Sequence, residues 1–272
     1  MMSTRRIATS HGRLMVEDTG GSGTPLLLIH GNSSSREVFR RQVEGGLAHG
    51  CRLITFDLPG HGESEDAAEP LGTYTLGGLA DAATQVLDIL GLDEVVVLGW
   101  SLGGHVAIEM LSRIRGVRGL VITGAPPVRR GGMAEGFLSS PHLGSAGRRH
   151  LSRPEVEAFA QAIFGKPVEP FLSRAIVRSD GRCRERLFQA ARAGEGVDQR
   201  LAVERSSVPI AVINGAADQL INLDYIDTVT FPKLWSGRCH RLDAGHAPFW
   251  HAATEFNLLV SRFMADVTEG AA

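Results

Sequence analysis

The sequence predicts a doubly wound α/β fold, in which helices cover both faces of a mostly parallel β-sheet. Short apolar runs recur along the chain with helical patterns between them, and strands that alternate with helices form βαβ units. Several of these runs are continuous rather than alternating, as expected of strands that are covered on both faces. The predicted strands are Arg13–Val16, Pro25–Ile29, Arg52–Phe56, Glu94–Leu98, Leu120–Thr123, Ile210–Asn214 and His240–Leu242.

The helices of the first half are predicted from apolar residues that recur three or four positions apart. One such pattern runs from Leu76 to Leu90, and another runs from Val106 to Ile114. Each pattern lies between two predicted strands, so each is expected to cover a face of the sheet.

The alternation of strands and helices stops between Pro126 and Ser207. Three helices are predicted in this segment, at Glu155–Phe164, Glu169–Val177 and Arg184–Ala191. An insertion that leaves from the C-terminal end of a strand lies where such sheets bind ligands, which predicts a lid. The predicted division is a first core part at residues 1–126, a lid at 127–206 and a second core part at 207–272.

Composition and charge limit the expected partners. The 272 residues are 43% hydrophobic and 21% charged, and the net charge of −2 gives no electrostatic reason to expect nucleic acid or an anionic membrane as a partner. No apolar run approaches the roughly 18 residues that a membrane span needs, and the start of the chain lacks the apolar region of a signal peptide. Three widely spaced cysteines argue against a disulfide framework or a structural zinc site. The expected setting is the cytoplasm, with a small neutral molecule as the partner.

The stretch GWSLG at residues 99–103 fits the pattern G-x-S-x-G. Ser101 follows a predicted buried strand and precedes a predicted helix, which is the context that this pattern needs. Gly99 and Gly103 would let the strand and helix backbones approach each other, while Ser101 would be exposed on a strained turn. An ordinary strand-to-helix turn is the alternative. The context favours Ser101 as a nucleophile.

A serine nucleophile needs a base and a group that orients the base. The loop after the penultimate predicted strand contains Asp218, and the loop after the last predicted strand contains His246. Both side chains are therefore expected at the same edge of the sheet as Ser101. Asp224 and Asp243 are alternative acids, and Asp243 is the less suitable one because it lies so near His246 along the chain.

Backbone N–H groups are needed where negative charge develops on the carbonyl oxygen of a substrate. The sequence His30-Gly31-Asn32 follows the second predicted strand and suits this role. The predicted donors are the backbone N–H groups of Asn32 and Leu102, with Gly31 allowing a close approach. The alternative is a simple turn in which Asn32 caps a helix.

Four motifs occur in the order IHGNSSS, FDLPGHGES, GWSLGGH and DAGHAPF, and together they resemble the α/β-hydrolase family over nearly the whole chain outside the lid. The first three are similar to the metal-independent N-acyl-homoserine lactonase of this superfamily. Further similar segments are GLVITGAPPV at 119–128, AEGF at 134–137, SDGR at 179–182 and PIAVING at 209–215. The resemblance implies an α/β-hydrolase fold with a helical lid inserted after the sixth strand.

The resemblance also implies roles for individual residues. Ser101, Asp218 and His246 would form the triad in the family's chain order, and Asn32 and Leu102 would form the oxyanion hole. An apolar lid would hold an acyl chain, with Gly31, Trp100, Phe137 and Phe159 as predicted substrate-binding residues. No cofactor is expected, and the H-x-H-x-D-H cluster of metal lactonases is absent from the sequence.

The predicted function is that of a metal-independent serine hydrolase that opens the lactone ring of N-acyl-homoserine lactones, an activity that quenches quorum signals. A general carboxylesterase or thioesterase would share every catalytic residue, and a ligand receptor with this fold would keep the pocket. The lactonase has Glu where this chain has Asp218, and a lid Tyr where this chain has Phe159. The partner is expected to be a small ester or lactone with an apolar acyl chain, and the oligomeric state is left open.

Overall fold

The structure, a computed structural model, contains an eight-stranded sheet with helices on both faces. It describes residues 2–270, without the side chains of residues 141–143. Residues 1, 271 and 272, at the ends of the two predicted core parts, lie outside the described residues. The strands are β1 (Ser3–Thr9), β2 (Gly12–Asp18), β3 (Leu26–Ile29), β4 (Leu53–Phe56), β5 (Val95–Trp100), β6 (Val117–Thr123), β7 (Ile210–Gly215) and β8 (His240–Leu242).

The sheet is parallel except at one side. Its strand order is β1-β2-β4-β3-β5-β6-β7-β8, and β2 pairs antiparallel with both β1 and β4. All other neighbours pair in parallel. The C-terminal ends of β3, β5, β6, β7 and β8 therefore meet at one edge of the sheet, where ligands bind in folds of this type.

The burial of the strands explains why most of them were predictable. Every residue of β3, β4, β5 and β7 is buried, as the continuous apolar runs predict. The strand β1 was not predicted, because within its sequence STRRIAT only Ile7 is buried and the apolar signal is correspondingly weak.

Eight α-helices lie before and after the insertion in the part of the chain that the structure describes. They are α1 (Arg40–Val43), α2 (Leu47–Gly50), α3 (Pro70–Thr73), α4 (Leu76–Leu90), α5 (Leu102–Leu111), α12 (Leu223–Asp227), α13 (Pro248–His251) and α14 (Ala253–Thr268). Both faces of β6 are covered: a Cβ built on Gly104 of α5 would lie 3.1 Å from Ile122, and one built on Gly119 would lie 2.9 Å from Phe263 of α14. Residues an odd number apart on a strand point to opposite faces, so the predicted doubly wound α/β architecture is confirmed.

The segment between β6 and β7 carries six helices, which confirms a helical insertion after the sixth strand. They are α6 (Met133–Gly136), α7 (Pro141–Ala146), α8 (Arg153–Phe164), α9 (Pro170–Arg178), α10 (Gly181–Arg192) and α11 (Gln199–Glu204). The three longest, α8 to α10, correspond to the three predicted helices. The division at residues 126/127 and 206/207, and the action of the insertion as a lid, stay predictions. No helix among residues 2–270 is long and apolar enough to cross a membrane.

Candidate active site

Ser101 lies on a sharp turn between β5 and α5. Its φ of 53° is in the left-handed region, which residues other than glycine rarely adopt. A Cβ on Gly99 would lie 2.2 Å from the carbonyl oxygen of Gly103, and a Cβ on Gly103 would lie 2.0 Å from that of Ile29. The predicted close approach at both glycines is therefore confirmed. The N–H of Ser101 donates to the carbonyl oxygen of Thr123 at 2.9 Å, which ties the strained turn to β6.

Asp218 and His246 form a buried pair at the same edge of the sheet. The Nδ1 atom of His246 lies 2.8 Å from Oδ2 of Asp218. The other carboxylate oxygen accepts the backbone N–H groups of Leu220 at 2.8 Å and Ile221 at 3.3 Å. Because an ionised carboxylate only accepts hydrogen bonds, Nδ1 of His246 carries the hydrogen and Nε2 is the ring's acceptor. The alternative acid Asp224 is exposed on α12.

Ser101 and His246 meet at a cavity of about 50 Å³, which we call the inner cavity. Its lining includes Asn32, Trp100, Phe137 and Phe159. Among the described residues, no hydrogen bond joins the side chains of Ser101 and His246. Catalytic hydrogen bonds of this kind often tighten only around a substrate, so the placement is compatible with proton transfer between them.

A second cavity of about 160 Å³, the outer cavity, also borders Ser101. Its lining includes Asn32, Ser101, Leu102, His105, Phe137 and Gln199. Phe137 thus borders both cavities, whereas Phe159 borders only the inner one. The nucleophile candidate therefore borders both a small cavity that His246 also lines and a larger cavity that His246 does not line.

The loop after β3 places its backbone beside Ser101. Within residues 2–270, neither the N–H of Asn32 nor that of Leu102 donates a hydrogen bond to the protein, so both are available to an oxyanion. The next helical turn along the chain is a 3₁₀ helix at Arg36–Phe39 whose N-cap is Ser35, so the alternative interpretation of Asn32 as a helix cap is wrong. The Asn32 side chain instead donates from Nδ2 to the carbonyl oxygen of Ala146 in α7, at 2.9 Å.

Trp100 packs between the loop that contains Gly31 and the loop that contains His246. Its Nε1–H donates to the carbonyl oxygen of His246 at 2.9 Å, and a Cβ on Gly31 would lie 2.8 Å from its ring. Gly31 borders neither of the two cavities in the described structure. It packs closely against Trp100, and its contact with substrate stays a prediction.

Two buried histidines hold the loop that contains Asn32. The Nε2 atom of His30 accepts the N–H of Leu58 at 3.0 Å, and Nε2 of His61 accepts the N–H of Ser33 at 3.2 Å. Burial lowers the pKa of His30 to about 4 and that of His61 to about 3, so both rings are neutral acceptors near pH 7. This contact holds Ser33 at its positive φ of 57°.

Arg184 of α10 is a buried side chain that the sequence did not reveal. Arginines are frequent between Arg129 and Arg205 and are interspersed with acids, a pattern typical of a solvated surface, but Arg184 is only 4% exposed. It donates to Ser33 Oγ at 3.1 Å and to the carbonyl oxygen of Arg148 at 2.7 Å. The insertion is therefore bonded to the loop that follows β3, and burial lowers the pKa of Arg184. A single arginine within an Arg-rich segment carries no signal of such burial.

No group of three or more His, Cys, Asp or Glu side chains within the described part of the chain is arranged to hold a metal ion. The groups that the structure brings together at this edge of the sheet are a hydroxyl, an imidazole, a carboxylate and backbone N–H groups. Such a set suits nucleophilic attack on a carbonyl carbon.

Comparisons with known proteins agree with this geometry. The alpha/beta hydrolase family matches residues 26–257 of the chain. A solved structure of the N-acyl homoserine lactonase AidH, a serine-to-glycine mutant complexed with N-hexanoyl homoserine lactone, is 44% identical with a TM-score of 0.96. The match covers 98% of this chain and 99% of that one. AidH complexed with N-butanoyl homoserine is also 44% identical, with a TM-score of 0.95, and covers 98% of this chain and 97% of its own.

A curated relative has another substrate in its name. The pimeloyl-[acyl-carrier protein] methyl ester esterase of Stenotrophomonas maltophilia (strain R551-3) is 29% identical over 275 residues, covering 91% of this chain and 95% of its own. The similar proteins thus include both a lactonase and an esterase.

Proposed function

Because this chain belongs to the alpha/beta hydrolase family, we propose that it is a serine hydrolase that opens the lactone ring of N-acyl-homoserine lactones. The observation that carries this proposal is the 44% identity, over 98% of the chain, to a lactonase structure that contains such a lactone. The buried Asp218–His246 pair beside Ser101 supports it independently. Ring opening would inactivate a quorum signal.

The proposed reaction begins with attack by Oγ of Ser101 on the ring carbonyl carbon, while Nε2 of His246 takes the hydroxyl proton. Asp218 stabilises the imidazolium through Nδ1. The N–H groups of Asn32 and Leu102 donate to the oxyanion of the tetrahedral intermediate. The ring C–O bond then breaks, and His246 gives its proton to the alkoxide.

The second half of the reaction releases the acyl group from the enzyme. Water attacks the ester carbonyl carbon and gives a proton to His246, and the bond to Oγ breaks as that proton returns to Ser101. The product is an N-acyl-homoserine with a free carboxylate. Every proton moves through Nε2, so no step in this scheme calls for a cofactor.

The main alternative is a carboxylesterase or thioesterase that acts on a linear acyl ester. The 29% identity to a methyl ester esterase favours it, and the triad chemistry would be unchanged. The two functions differ only in the substrate that reaches Ser101.

A substrate panel separates these proposals. We expect kcat/KM for N-hexanoyl-homoserine lactone to exceed that for a simple γ-lactone and for p-nitrophenyl hexanoate, and we expect a chelator to change none of these values. Hydrolysis of the lactones is measured by proton release, and hydrolysis of the p-nitrophenyl ester is measured by the absorbance of p-nitrophenol. A preference for the linear ester would refute the lactonase proposal, and a loss of activity with the chelator would refute its metal independence.

The acyl chain is proposed to lie against Phe137. A buried CH₂ contributes about 0.8 kcal/mol, so kcat/KM should rise about fourfold for each added methylene while the chain stays buried. We expect Phe137→Ala to flatten this rise, because Phe137 borders both cavities. The slope for Phe137→Ala is compared with the slope for Phe159→Ala, because Phe159 borders the small inner cavity and not the outer one. Kinetics on butanoyl, hexanoyl and octanoyl substrates measure the slope, and an unchanged slope in Phe137→Ala would contradict the placement.

A further inference from the structure

The outer cavity contains a polar side chain that the proposed reaction does not use. His105 lies four residues after Ser101, in the first half of α5, and both border this cavity. Its ring centroid is 5.8 Å from that of Phe137. The backbone N–H of His105 donates to the carbonyl oxygen of Ser101 at 3.2 Å, so the two residues are neighbours at the start of α5. His105 therefore reaches the part of a substrate that is next to the reacting carbonyl.

The hydrogen bonds of Gln199 define which nitrogen of His105 carries the hydrogen. Nε2 of Gln199 donates to the backbone carbonyl oxygen of His105 at 3.1 Å, so the amide oxygen of Gln199 faces Nδ1 of the ring, at 2.6 Å. An amide oxygen only accepts, and therefore Nδ1 of His105 is the donor. Nε2 of His105 then holds a lone pair, and burial lowers the pKa of the ring, so the acceptor persists at neutral pH.

Among the side chains and backbone groups that the structure describes, this acceptor has no donor. No hydrogen bond to Nε2 of His105 is present there, and the atom is not among the buried unpaired polar atoms of the described side chains. It is therefore open to the outer cavity. A lone pair in a largely apolar cavity selects ligands that bring a donor, because an unpaired polar group loses its hydrogen bond to water on ligand binding.

The direction of the substrate follows from His246. The leaving oxygen must meet Nε2 of His246, which borders the inner cavity and not the outer one. The α-carbon is bonded to the same carbonyl carbon as the leaving oxygen, and its substituent points away from that oxygen. That substituent therefore extends into the outer cavity, toward His105.

We propose that His105 is a specificity-determining residue, whose Nε2 accepts a hydrogen bond from an N–H group on the α-carbon of the substrate's acyl portion. In an N-acyl-homoserine lactone this donor is the amide N–H. The proposal rests on the serine-hydrolase chemistry proposed for Ser101, but it applies equally to α-amido lactones and to α-amido esters.

The test compares two lactones that differ in one group. One is N-hexanoyl-homoserine lactone, and the other is its analogue with CH₂ in place of the amide N–H. Wild-type kcat/KM should favour the amide by about tenfold, the range of one hydrogen bond. In His105→Phe the ratio of kcat/KM for the amide lactone to kcat/KM for its CH₂ analogue should fall to about one. Only kcat/KM for the amide lactone should decrease. His105→Gln, which keeps a side-chain acceptor, should recover part of the ratio.

The control is His150→Phe, because His150 is exposed and borders neither cavity; its ratio should equal that of the wild type. Thermal unfolding monitors the fold of each variant. A folded His105→Phe that keeps the wild-type ratio within twofold, or that loses equally on both lactones, would overturn the proposal. If the wild type hydrolyses neither lactone, the ratio is measured on N-hexanoylglycine ethyl ester and its CH₂ analogue. In that case the lactone proposal fails while the role of His105 is still decided.

Discussion

Ser101→Ala is expected to lower kcat by about 10⁶-fold, the effect typical of removing a triad serine. Oγ is the only atom removed, and no hydrogen bond of the described structure depends on it, so the fold should be retained. The strained turn is formed by the backbone bond to Thr123 and by the packing of Gly99 and Gly103, which the variant keeps. Steady-state kinetics with the preferred substrate, together with circular dichroism, measure both effects.

Ser236→Ala provides a matched control for this substitution. Ser236 is also a serine with a left-handed backbone, at a φ of 52°. It is exposed, lies far along the chain from Ser101, and borders neither cavity. Its kcat should match that of the wild type. Turnover by Ser101→Ala within tenfold of the wild type would refute the proposed nucleophile.

Asp218→Asn is expected to lower kcat by about 10⁴-fold, because an asparagine amide favours the wrong tautomer of the base. The buried Oδ1 of Asp218 accepts the N–H of Leu220, and the asparagine oxygen would keep that bond. Its NH₂ group would then face Nδ1 of His246 and donate to it. The hydrogen would move to Nε2 of His246, which could no longer accept the proton of Ser101.

The matched control is the exposed acid of α12. Asp224→Asn changes the same functional group, but no hydrogen bond of the described structure joins Asp224 to His246, so kcat should stay within about twofold of the wild type. Steady-state measurements of kcat over a pH series compare the two variants. If Asp224→Asn lost activity and Asp218→Asn did not, the assignment of the orienting acid would be wrong.

Much of this site was predictable because its members stand directly after strands. The continuous apolar runs located the strand ends, and the C-terminal ends of parallel strands meet at one edge. The pairing of Asp218 with His246 could therefore be expected from sequence, and the structure places their side chains 2.8 Å apart. Their catalytic roles stay predictions that the variants above test.

Other parts of the site had no sequence signal. The burial of Arg184 depends on how α10 packs against the loop after β3, and its sequence neighbours are mostly exposed or half-buried arginines and acids. The lone pair on His105 depends on Gln199, which is 94 residues away. Contacts of this kind arise from tertiary packing, whereas the period of apolar residues reports only on the local element. The strand β1 was missed for the converse reason, since its partner β2 supplies the pairing and its own sequence is mostly polar.

The hydrogen bond between Trp100 and His246 has a consequence for the folding of the chain during synthesis. Trp100 and His246 are 146 residues apart, so nearly the entire second half of the chain must be in place before that bond can form. Closing so long a loop costs conformational entropy that local elements avoid. A nascent chain that has completed β6 already holds the nucleophile turn and the oxyanion loop, yet it has no base. On the proposed mechanism, such a chain is inactive, because Asp218 and His246 both lie in the last fifth of the sequence. The appearance of activity would therefore report that β7 and β8, which precede these two residues, have joined the sheet.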